Sequence, residues 1–287
     1  STAFARAIGY ADAPIDDLLV FHVVFGKTVP DISLNAVANL GYAELRFVKA
    51  VYAGDTLTAS SIVIGLKENS SGETGVVYVR TTGRNQRDDV VLEYVRWVMV
   101  RKRDAASPAP APVEPKLANH VAAAALGGAI PPLDVTRYDN ALAGSPHRWS
   151  DYQPGERIDH VDGVTIEEAE HQLATRMYQN TAKVHFNQHE QQQGRFKRRL
   201  VYGGVIMSIA RALSFNGLGN AFHIAAINAG RHVAPSFAGD TIYAWSEVLE
   251  VAQVPQRGDI GALRTRLTGV KNRPASDFPR KTADGKD

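Results

Sequence analysis

The chain contains two apolar stretches that have the pattern of buried helices. The first, Leu18 to Gly26, follows the acidic pair Asp16-Asp17, whose charge is favourable at a helix N-terminus. The second begins at the glycine pair Gly203-Gly204 and continues to Ser214 with few charged side chains. Helices that are apolar on most faces are buried, so both stretches predict helices packed inside a fold.

Runs of β-branched and aromatic residues, bounded by turn residues, predict strands in both halves of the chain. The predicted strands cover Gly41 to Val51, Thr56 to Leu66, Gly75 to Thr82, Asp89 to Arg101, Arg157 to Val161, Ala221 to Val233, Thr241 to Val251 and Gly261 to Val270. The segment Thr165-Ile166-Glu167-Glu168 has the pattern of a capping box and predicts a helix that ends near Met177. These elements together predict an α+β protein.

An internal repeat organises these elements. The segment Ala53-Gly54-Asp55-Thr56-Leu57 recurs as Ala238-Gly239-Asp240-Thr241-Ile242, an offset of 185 residues. The same offset places the first apolar helix on the second, so each half contains a helix, a strand, a Gly-Asp turn and another strand. A buried helix wrapped by an antiparallel sheet, made twice, predicts a double hot-dog fold. The alternative is two unrelated α+β domains that share a common turn sequence.

The repeat predicts three parts of the chain. Residues 1–103 form an N-terminal hot-dog unit, residues 104–148 an Ala/Pro-rich linker, and residues 149–287 a C-terminal hot-dog unit that ends in a polar tail from Pro274. At the offset of 185, the counterpart of His185 falls at position zero. The first unit therefore lacks its opening strand and the second lacks a final strand, so we expect the natural protein to continue at both termini.

Composition limits the classes of function. The 287 residues, 44% of them hydrophobic, can form a large core, and neither an apolar run of about eighteen residues nor a signal peptide is present. We therefore expect a cytoplasmic protein without a membrane partner. The lack of cysteine excludes disulfides and thiol catalysis, and 32 basic against 30 acidic residues argue against a nucleic-acid partner. Sheet edges permit, but do not require, a homo-oligomer.

The densest candidate chemistry lies in the second half of the chain. Asn180 and His185 occupy a polar segment shortly before the glycine pair Gly203-Gly204. The amide side chain of Asn180, the imidazole of His185 and the free backbone amides of a helix N-terminus are suited to binding and polarising a carbonyl group. The alternatives are a packed histidine, an asparagine that forms a turn, and glycines needed for close packing. His185 and His189 have the i, i+4 spacing of metal ligands, but no third ligand is near, so we predict no metal site.

Several segments carry a resemblance to a known family. They include Pro-Ile-Asp-Asp-Leu-Leu-Val-Phe-His from Pro14, Val-Leu-Glu-Tyr-Val-Arg-Trp-Val-Met from Val91, Asp-His-Val-Asp-Gly-Val-Thr-Ile from Asp159, Tyr-Gln-Asn-Thr-Ala-Lys-Val-His-Phe-Asn from Tyr178 and Pro-Ser-Phe-Ala-Gly-Asp-Thr-Ile-Tyr from Pro235. Through them the chain resembles MaoC-like hydratases, and most of all the mesaconyl-CoA hydratases, also called β-methylmalyl-CoA dehydratases. The resemblance implies a hydro-lyase that reversibly hydrates a branched dicarboxylic acyl-CoA, mesaconyl-CoA to β-methylmalyl-CoA, without a metal or redox cofactor.

The resemblance also implies roles for individual residues. His185 becomes the general acid and base, Asn180 positions water or the thioester, and the amides near Gly203 and Gly204 bind the oxyanion. The basic run is predicted to bind the phosphates of coenzyme A, which enters as part of the substrate, or else to be a solvated charge run. This run consists of Arg195, Lys197, Arg198 and Arg199. Arg46 and Arg231 either bind the distal carboxylate of the substrate or pair with strand neighbours.

The chain departs from the wider superfamily at the catalytic motif. Where the superfamily has Asp-x-Asn-Pro-x-His, this chain has Asn180, Ala182 and Lys183 at the Asp, Asn and Pro positions, and only His185 is retained. The identity of the general base therefore stays open at the level of sequence, because an asparagine amide cannot accept a proton. Two alternative functions also stay open: a hydratase or thioesterase for other acyl groups, and a non-catalytic protein that binds coenzyme A.

Overall fold

A computed structural model describes residues 1–33 and 36–281. The helices are α1 Thr2–Ala7, α2 Asp17–Lys27, α3 Asn140–Ala143, α4 Glu168–Met177, α5 Lys183–Phe186, α6 Gln188–Gln191, α7 Gly203–Leu213 and α8 Phe215–Leu218. The strands are β1 Ala36–Phe47, β2 Thr58–Glu68, β3 Thr74–Arg84, β4 Val90–Arg101, β5 Arg157–Thr165, β6 Ala226–Gly230, β7 Thr241–Gln253 and β8 Gly261–Lys271. A π-helical turn, Val29–Ser33, follows α2. The last six residues of the predicted polar tail, 282–287, lie outside the described residues.

Two antiparallel sheets wrap the helices. The first has the strand order β2-β3-β4-β1-β6 and the second has the order β5-β7-β8. Strand β6 belongs to the second half of the chain, yet it pairs with β1 of the first half, with Tyr42 opposite Gly230. This pairing joins the two halves edge to edge. It also shows that the predicted strand from Ala221 to Val233 is too long, because only Ala226–Gly230 forms the ladder.

The structure confirms the internal repeat in detail. Helices α2 and α7 occupy matching places, and so do β2 and β7 and the strands that follow them. The two Gly-Asp turns are also the same. Gly54 and Gly239 have φ angles of 94° and 91°, and in each turn the aspartate accepts a hydrogen bond from the amide three residues earlier. A positive φ of this kind favours glycine, which explains why the turn sequence recurs.

Helices α2 and α7 share one hydrophobic core. Phe21 and Val24 of α2 are completely buried, and Val205 and Ile209 of α7 belong to the same cluster. Burying a side chain of the size of Phe21 contributes about 1.5–3 kcal/mol. The packing is close at Gly204 of α7, where an added Cβ would lie 2.5 Å from the His22 ring. The two units are therefore held together through their central helices as well as through β1 and β6.

The predicted capping box at the start of α4 is wrong. Thr165 is the last residue of β5, and its hydroxyl lies 2.8 Å from the hydroxyl of Thr241 across the strand pair. The helix begins at Glu168, and the side chain of the N-cap residue Glu167 accepts no hydrogen bond from the amides of the first turn. Thr165 therefore belongs to the strand pair and not to the helix cap that the local sequence pattern predicted.

The segment of residues 104–148 is fixed to both halves of the chain. Val113 forms a bridge with Leu66 of β2, and the amide of Val121 donates to the Asn228 side chain at 2.7 Å. The Arg257 guanidinium, in the turn between β7 and β8, donates to the carbonyls of residues 127, 130 and 131. Within the part of the chain that the structure describes, no helix has the length and apolar character needed to cross a membrane.

Candidate active site

A tight turn at the end of α4 sets the position of Asn180. The amide of Asn180 donates to the carbonyl of Thr175, and the amide of Gln179 donates to the carbonyl of Arg176. This pair of bonds is a Schellman motif, in which the residue after the helix cap takes a left-handed conformation. Gln179 has that conformation, with a φ of 56°. The turn directs Asn180 into the interior, where only 2% of its surface is exposed.

The side chain of Asn180 is oriented by its own backbone. Its Oδ1 accepts a hydrogen bond of 3.2 Å from the amide of Ala182. This bond fixes the amide so that Nδ2 faces away from the turn, and among the described residues Nδ2 has no hydrogen-bond acceptor. Asn180 therefore forms a turn, as one of the two alternatives for it predicted, and it also presents an N–H donor to the cleft that it lines.

His185 has the tautomer that a general base needs. Its Nδ1 lies 2.8 Å from the carbonyl oxygen of Leu200, so Nδ1 carries the proton and donates it to that carbonyl. Its Nε2 then holds the free lone pair and has no partner within residues 1–33 and 36–281. The segment is held in place because Gln172 donates to the backbone carbonyl of His185 at 2.8 Å. His185 also lines the cleft.

Burial governs the protonation of His185. The pKa of the imidazole is lowered to about 4, chiefly by burial. The nearby rings of His171 and His232 contribute to this lowering of the pKa, and the hydrogen bond to Leu200 opposes it. The ring is therefore neutral at neutral pH, because a base is protonated only below its pKa. A neutral imidazole with an open Nε2 can accept a proton from a bound water molecule.

The N-terminus of α7 has two free amides, and Gly203, unlike Gly204, lines the same cleft as Asn180 and His185. The helix begins at Gly203, and Tyr202 at its N-cap gives no side-chain hydrogen bond. The amides of Gly203 and Gly204 have no acceptor in the described part of the chain, as the first amides of a helix usually do not. Both glycines are also required sterically, since a Cβ at Gly203 would lie 2.4 Å from the His232 ring. The oxyanion and packing interpretations of the glycines are therefore compatible.

Sequence reasoning missed the side chains that surround the pair. His22 of α2 is buried, its Nε2 lies 2.8 Å from the Ser208 hydroxyl of α7, and its ring stacks on Tyr178 at 4.6 Å. Tyr202 packs against the His185 ring at 5.7 Å. A histidine and a tyrosine inside apolar runs are the signal that could have indicated them, because buried polar side chains need partners.

The basic run is divided between internal contacts and solvent. Arg199 is paired with Glu168 of α4, and Arg198 donates to the Ala238 carbonyl at 2.5 Å and lies over the Phe237 ring. Arg195 and Lys197 are exposed, and in the described part of the chain neither has a carboxylate partner. Two of the four predicted phosphate-binding cations, Arg198 and Arg199, therefore make contacts within the protein, and the other two are free to bind a ligand from solvent.

Of the two arginines predicted to bind a carboxylate or a strand neighbour, Arg46 has a local partner, and Arg231 is exposed and lines the cleft. Arg46 pairs with Glu93 of the neighbouring strand at 2.9 Å, as one of the two alternatives for it held. Among the described residues, no group of three or more His, Cys, Asp or Glu side chains could hold a metal ion.

Comparisons with known proteins identify the family of this chain. The family model for mesaconyl-CoA hydratase matches residues 1–273. A β-methylmalyl-CoA dehydratase from Chloroflexus aurantiacus is 62% identical over 286 residues, which are 99% of this chain and 81% of that protein. A mesaconyl-CoA hydratase from Cereibacter sphaeroides is 61% identical over 287 residues, which are 100% of this chain and 82% of that protein.

Solved structures show the same architecture. A MaoC domain protein from Chloroflexus aurantiacus superposes with a TM-score of 0.95 at 61% identity, over 100% of this chain and 82% of that one. A Mycobacterium tuberculosis protein described as a double hotdog has a TM-score of 0.68 at 25% identity, over 95% and 81% of the two chains. Fold and site together define a MaoC-like double hot-dog protein. The chain belongs to the mesaconyl-CoA hydratase family.

Proposed function

We propose that this protein is a hydro-lyase that reversibly adds water to a branched dicarboxylic enoyl-CoA, converting mesaconyl-CoA to β-methylmalyl-CoA. The observation that carries the proposal is the tautomer of His185, whose Nδ1 donates to the Leu200 carbonyl while Nε2 stays open on the cleft. The names of two relatives that are 61% and 62% identical support the choice of substrate.

In the proposed reaction, Nε2 of His185 takes a proton from water as the oxygen bonds to the β-carbon of the conjugated double bond. The protonated His185 then returns that proton to the α-carbon, so that the elements of water are added across the double bond and the imidazole is neutral again. Asn180 cannot take a proton, and its free Nδ2–H donates to the water oxygen and holds it in line. The identity of the base, open at the level of sequence, is thereby assigned to His185.

The amides of Gly203 and Gly204 complete the proposed site. Addition of hydroxide to the β-carbon moves negative charge onto the thioester oxygen. Free N–H groups and the positive end of the α7 dipole stabilise charge of that kind where it develops. Hydration changes no oxidation state, so the proposal requires no redox cofactor. Coenzyme A takes part only as a portion of the substrate, and the exposed Arg195 and Lys197 are the cations that we assign to its phosphates.

Absorbance of the conjugated enoyl thioester tests the proposal. The purified protein would be incubated with mesaconyl-CoA and a panel of other enoyl-CoAs, while a thiol reagent monitors free coenzyme A. Loss of the chromophore without release of thiol, fastest for mesaconyl-CoA, is the expected result. Release of thiol would instead indicate a thioesterase, and binding with neither signal would indicate a non-catalytic protein.

A further inference from the structure

Arg96 is a buried cation without a paired acid. It lies on β4, none of its surface is exposed, and no carboxylate within residues 1–33 and 36–281 pairs with it. Glu93, on the same strand, is committed to Arg46. Removing a guanidinium from water without a counter-charge is unfavourable, so a buried arginine of this kind normally binds an anion.

The contacts of Arg96 leave part of the guanidinium unused. One Nη donates to the Ser33 hydroxyl at 3.0 Å, the other Nη donates to the Thr28 hydroxyl at 2.9 Å, and the carbon of the guanidinium lies 4.3 Å from the centre of the Phe25 ring. The Nε has no hydrogen-bond partner in the described part of the chain. A guanidinium has more N–H donors than two hydroxyls can accept, and the unused donors form the planar fork that matches a carboxylate.

Other unpartnered polar groups lie on the same face of the sheet as Arg96. The Tyr94 hydroxyl, two residues earlier on β4, and both amide atoms of Asn39 are buried and have no hydrogen-bond partner among the described residues. Asn39 lies on the neighbouring strand β1, where it is paired with Val98 of β4. It is therefore on the same face of the sheet as Arg96. Buried polar groups normally have partners, so several orphans around one unpaired cation indicate a polar ligand.

This cluster is connected to the proposed catalytic centre. The Phe25 ring that packs on Arg96 also stacks on the Tyr202 ring at 5.6 Å, and Tyr202 contacts the His185 ring at 5.7 Å. Arg96, Asn39 and His185 all line the same cleft, which has a volume of ≈ 2050 Å³. Arg96 belongs to the first half of the chain and His185 to the second, so both halves contribute residues to the lining of the cleft.

We propose that Arg96 binds the free carboxylate of the substrate's acyl group and thereby selects a dicarboxylic acyl-CoA. The inference rests on the proposed function, because it places the thioester end of the same acyl group at His185 and Gly203. The hydroxyls of Thr28 and Ser33 orient the guanidinium, and Asn39 donates to the carboxylate from the opposite strand. The coenzyme A phosphates are the other anions of such a substrate, but a fully buried cation flanked by the Phe25 ring fits a small carboxylate better than a solvated phosphate.

Binding of two unreactive ligands tests the inference independently of turnover. Methylsuccinyl-CoA is saturated and has a free carboxylate, and 2-methylbutyryl-CoA has a methyl group in its place. Neither ligand can be hydrated, so calorimetric dissociation constants report recognition even if the proposed reaction is wrong. We expect the unaltered protein to bind methylsuccinyl-CoA about 30-fold or more tightly than 2-methylbutyryl-CoA, since leaving a buried charge unpaired has an effect of that size.

The variant Arg96→Met should lose this preference while its dissociation constant for 2-methylbutyryl-CoA stays unchanged. Arg96→Lys keeps the charge and should retain part of the preference. This variant provides the test if Arg96→Met does not fold. Arg80→Met, on the neighbouring strand β3 and paired with Glu44, is the matched control and should keep the full preference. Absence of the preference in the unaltered protein, or equal weakening of both ligands by Arg96→Met and Arg96→Lys, would overturn the inference.

Discussion

His185 combines two properties that are needed in a base at neutral pH. Its hydrogen bond to the Leu200 carbonyl determines which nitrogen carries the proton, and burial holds the ring in the neutral form. An exposed histidine would be partly protonated near its ordinary pKa of about 6.5. Here the lone pair on Nε2 is available throughout the neutral range, and Asn180, which lines the same cleft, cannot compete for the proton.

The pH dependence of hydration follows from the low pKa of His185. Because the neutral ring is the active form, activity should be constant from neutral pH down to about pH 5 and should fall as the ring is protonated near its pKa of about 4. The measurement is kcat/KM for hydration between pH 3.5 and 8, over the range in which circular dichroism shows a folded protein. An acid limb near pH 6.5 would mean that the base is an exposed group.

The variant Asn180→Asp should shift this profile. A carboxylate beside the imidazole stabilises the imidazolium, so the pKa of His185 should rise, by about 1 unit or more. The acid limb of kcat/KM should move to higher pH by the same amount. Asn180→Ala serves as the control, because it removes the amide without adding a charge and should lower kcat without moving the limb. If neither variant changes kcat or the profile, Asn180 is not part of the active site.

Part of the site could be predicted from sequence at this scale. Asn180 and His185 lie within one short motif, so their proximity is local information. Arg96 lines the cleft from the other half of the chain, and His22 packs behind it against Tyr178 and Tyr202. The neighbours of both residues depend on strand register and on the packing of α2 against α7. No local pattern encodes these contacts, since they join residues about 90 to 190 positions apart.

Among the elements, the turn after α4 is the one on which the site depends. Helix α2 passes this turn so closely that a Cβ added at Gly26 would lie 1.6 Å from the Tyr178 carbonyl oxygen. The turn that positions Asn180 is thus held between its own Schellman bonds and the central helix of the other unit. The short Gly-Asp turns were predictable because each is defined by its own sequence, whereas this contact arises only after the units pack.

Substituting Gly26→Ala should therefore displace the Asn180 turn. Overpacking of this kind costs about 1–3 kcal/mol of the free energy of unfolding, and kcat should fall because Asn180 moves relative to His185. Urea unfolding and steady-state kinetics measure the two effects. Gly258→Ala is the matched control, because a Cβ at Gly258 meets no atom within 4 Å. Unchanged kcat and stability in Gly26→Ala would show that the contact between α2 and the turn is not as close as described.

The left-handed residue in the same turn allows a stabilising change. Gln179 is exposed and has a φ of 56°, a conformation that glycine adopts without strain. Gln179→Gly should raise the free energy of unfolding by about 0.5–1 kcal/mol and leave kcat unchanged. Gln179→Ala keeps a Cβ in the same conformation and should give no gain. Equal effects of the two variants in urea unfolding would contradict the assignment of a Schellman motif.

For the molecule as a whole, both units contribute residues to one cleft. The repeat predicted two similar folds, and the matched Gly-Asp turns and central helices confirm it. The pairing of β6 with β1 and the attachment of residues 104–148 to both halves could not be predicted, because edge pairing depends on which strand ends come together in three dimensions. In our proposal the second half supplies the base and the oxyanion site, and the first half recognises the acyl group.

The central claim is that the protein hydrates mesaconyl-CoA with His185 as the base. The most direct measurement is the initial rate at which saturating mesaconyl-CoA loses its conjugated absorbance, compared between the unaltered protein and His185→Ala, with folding of both checked by circular dichroism. His189→Ala, four residues away, is the control and should keep the full rate. We predict that His185→Ala lowers kcat by about 10² to 10⁴, the range for a lost acid–base group. A folded His185→Ala protein that keeps more than about a third of the rate would contradict the account.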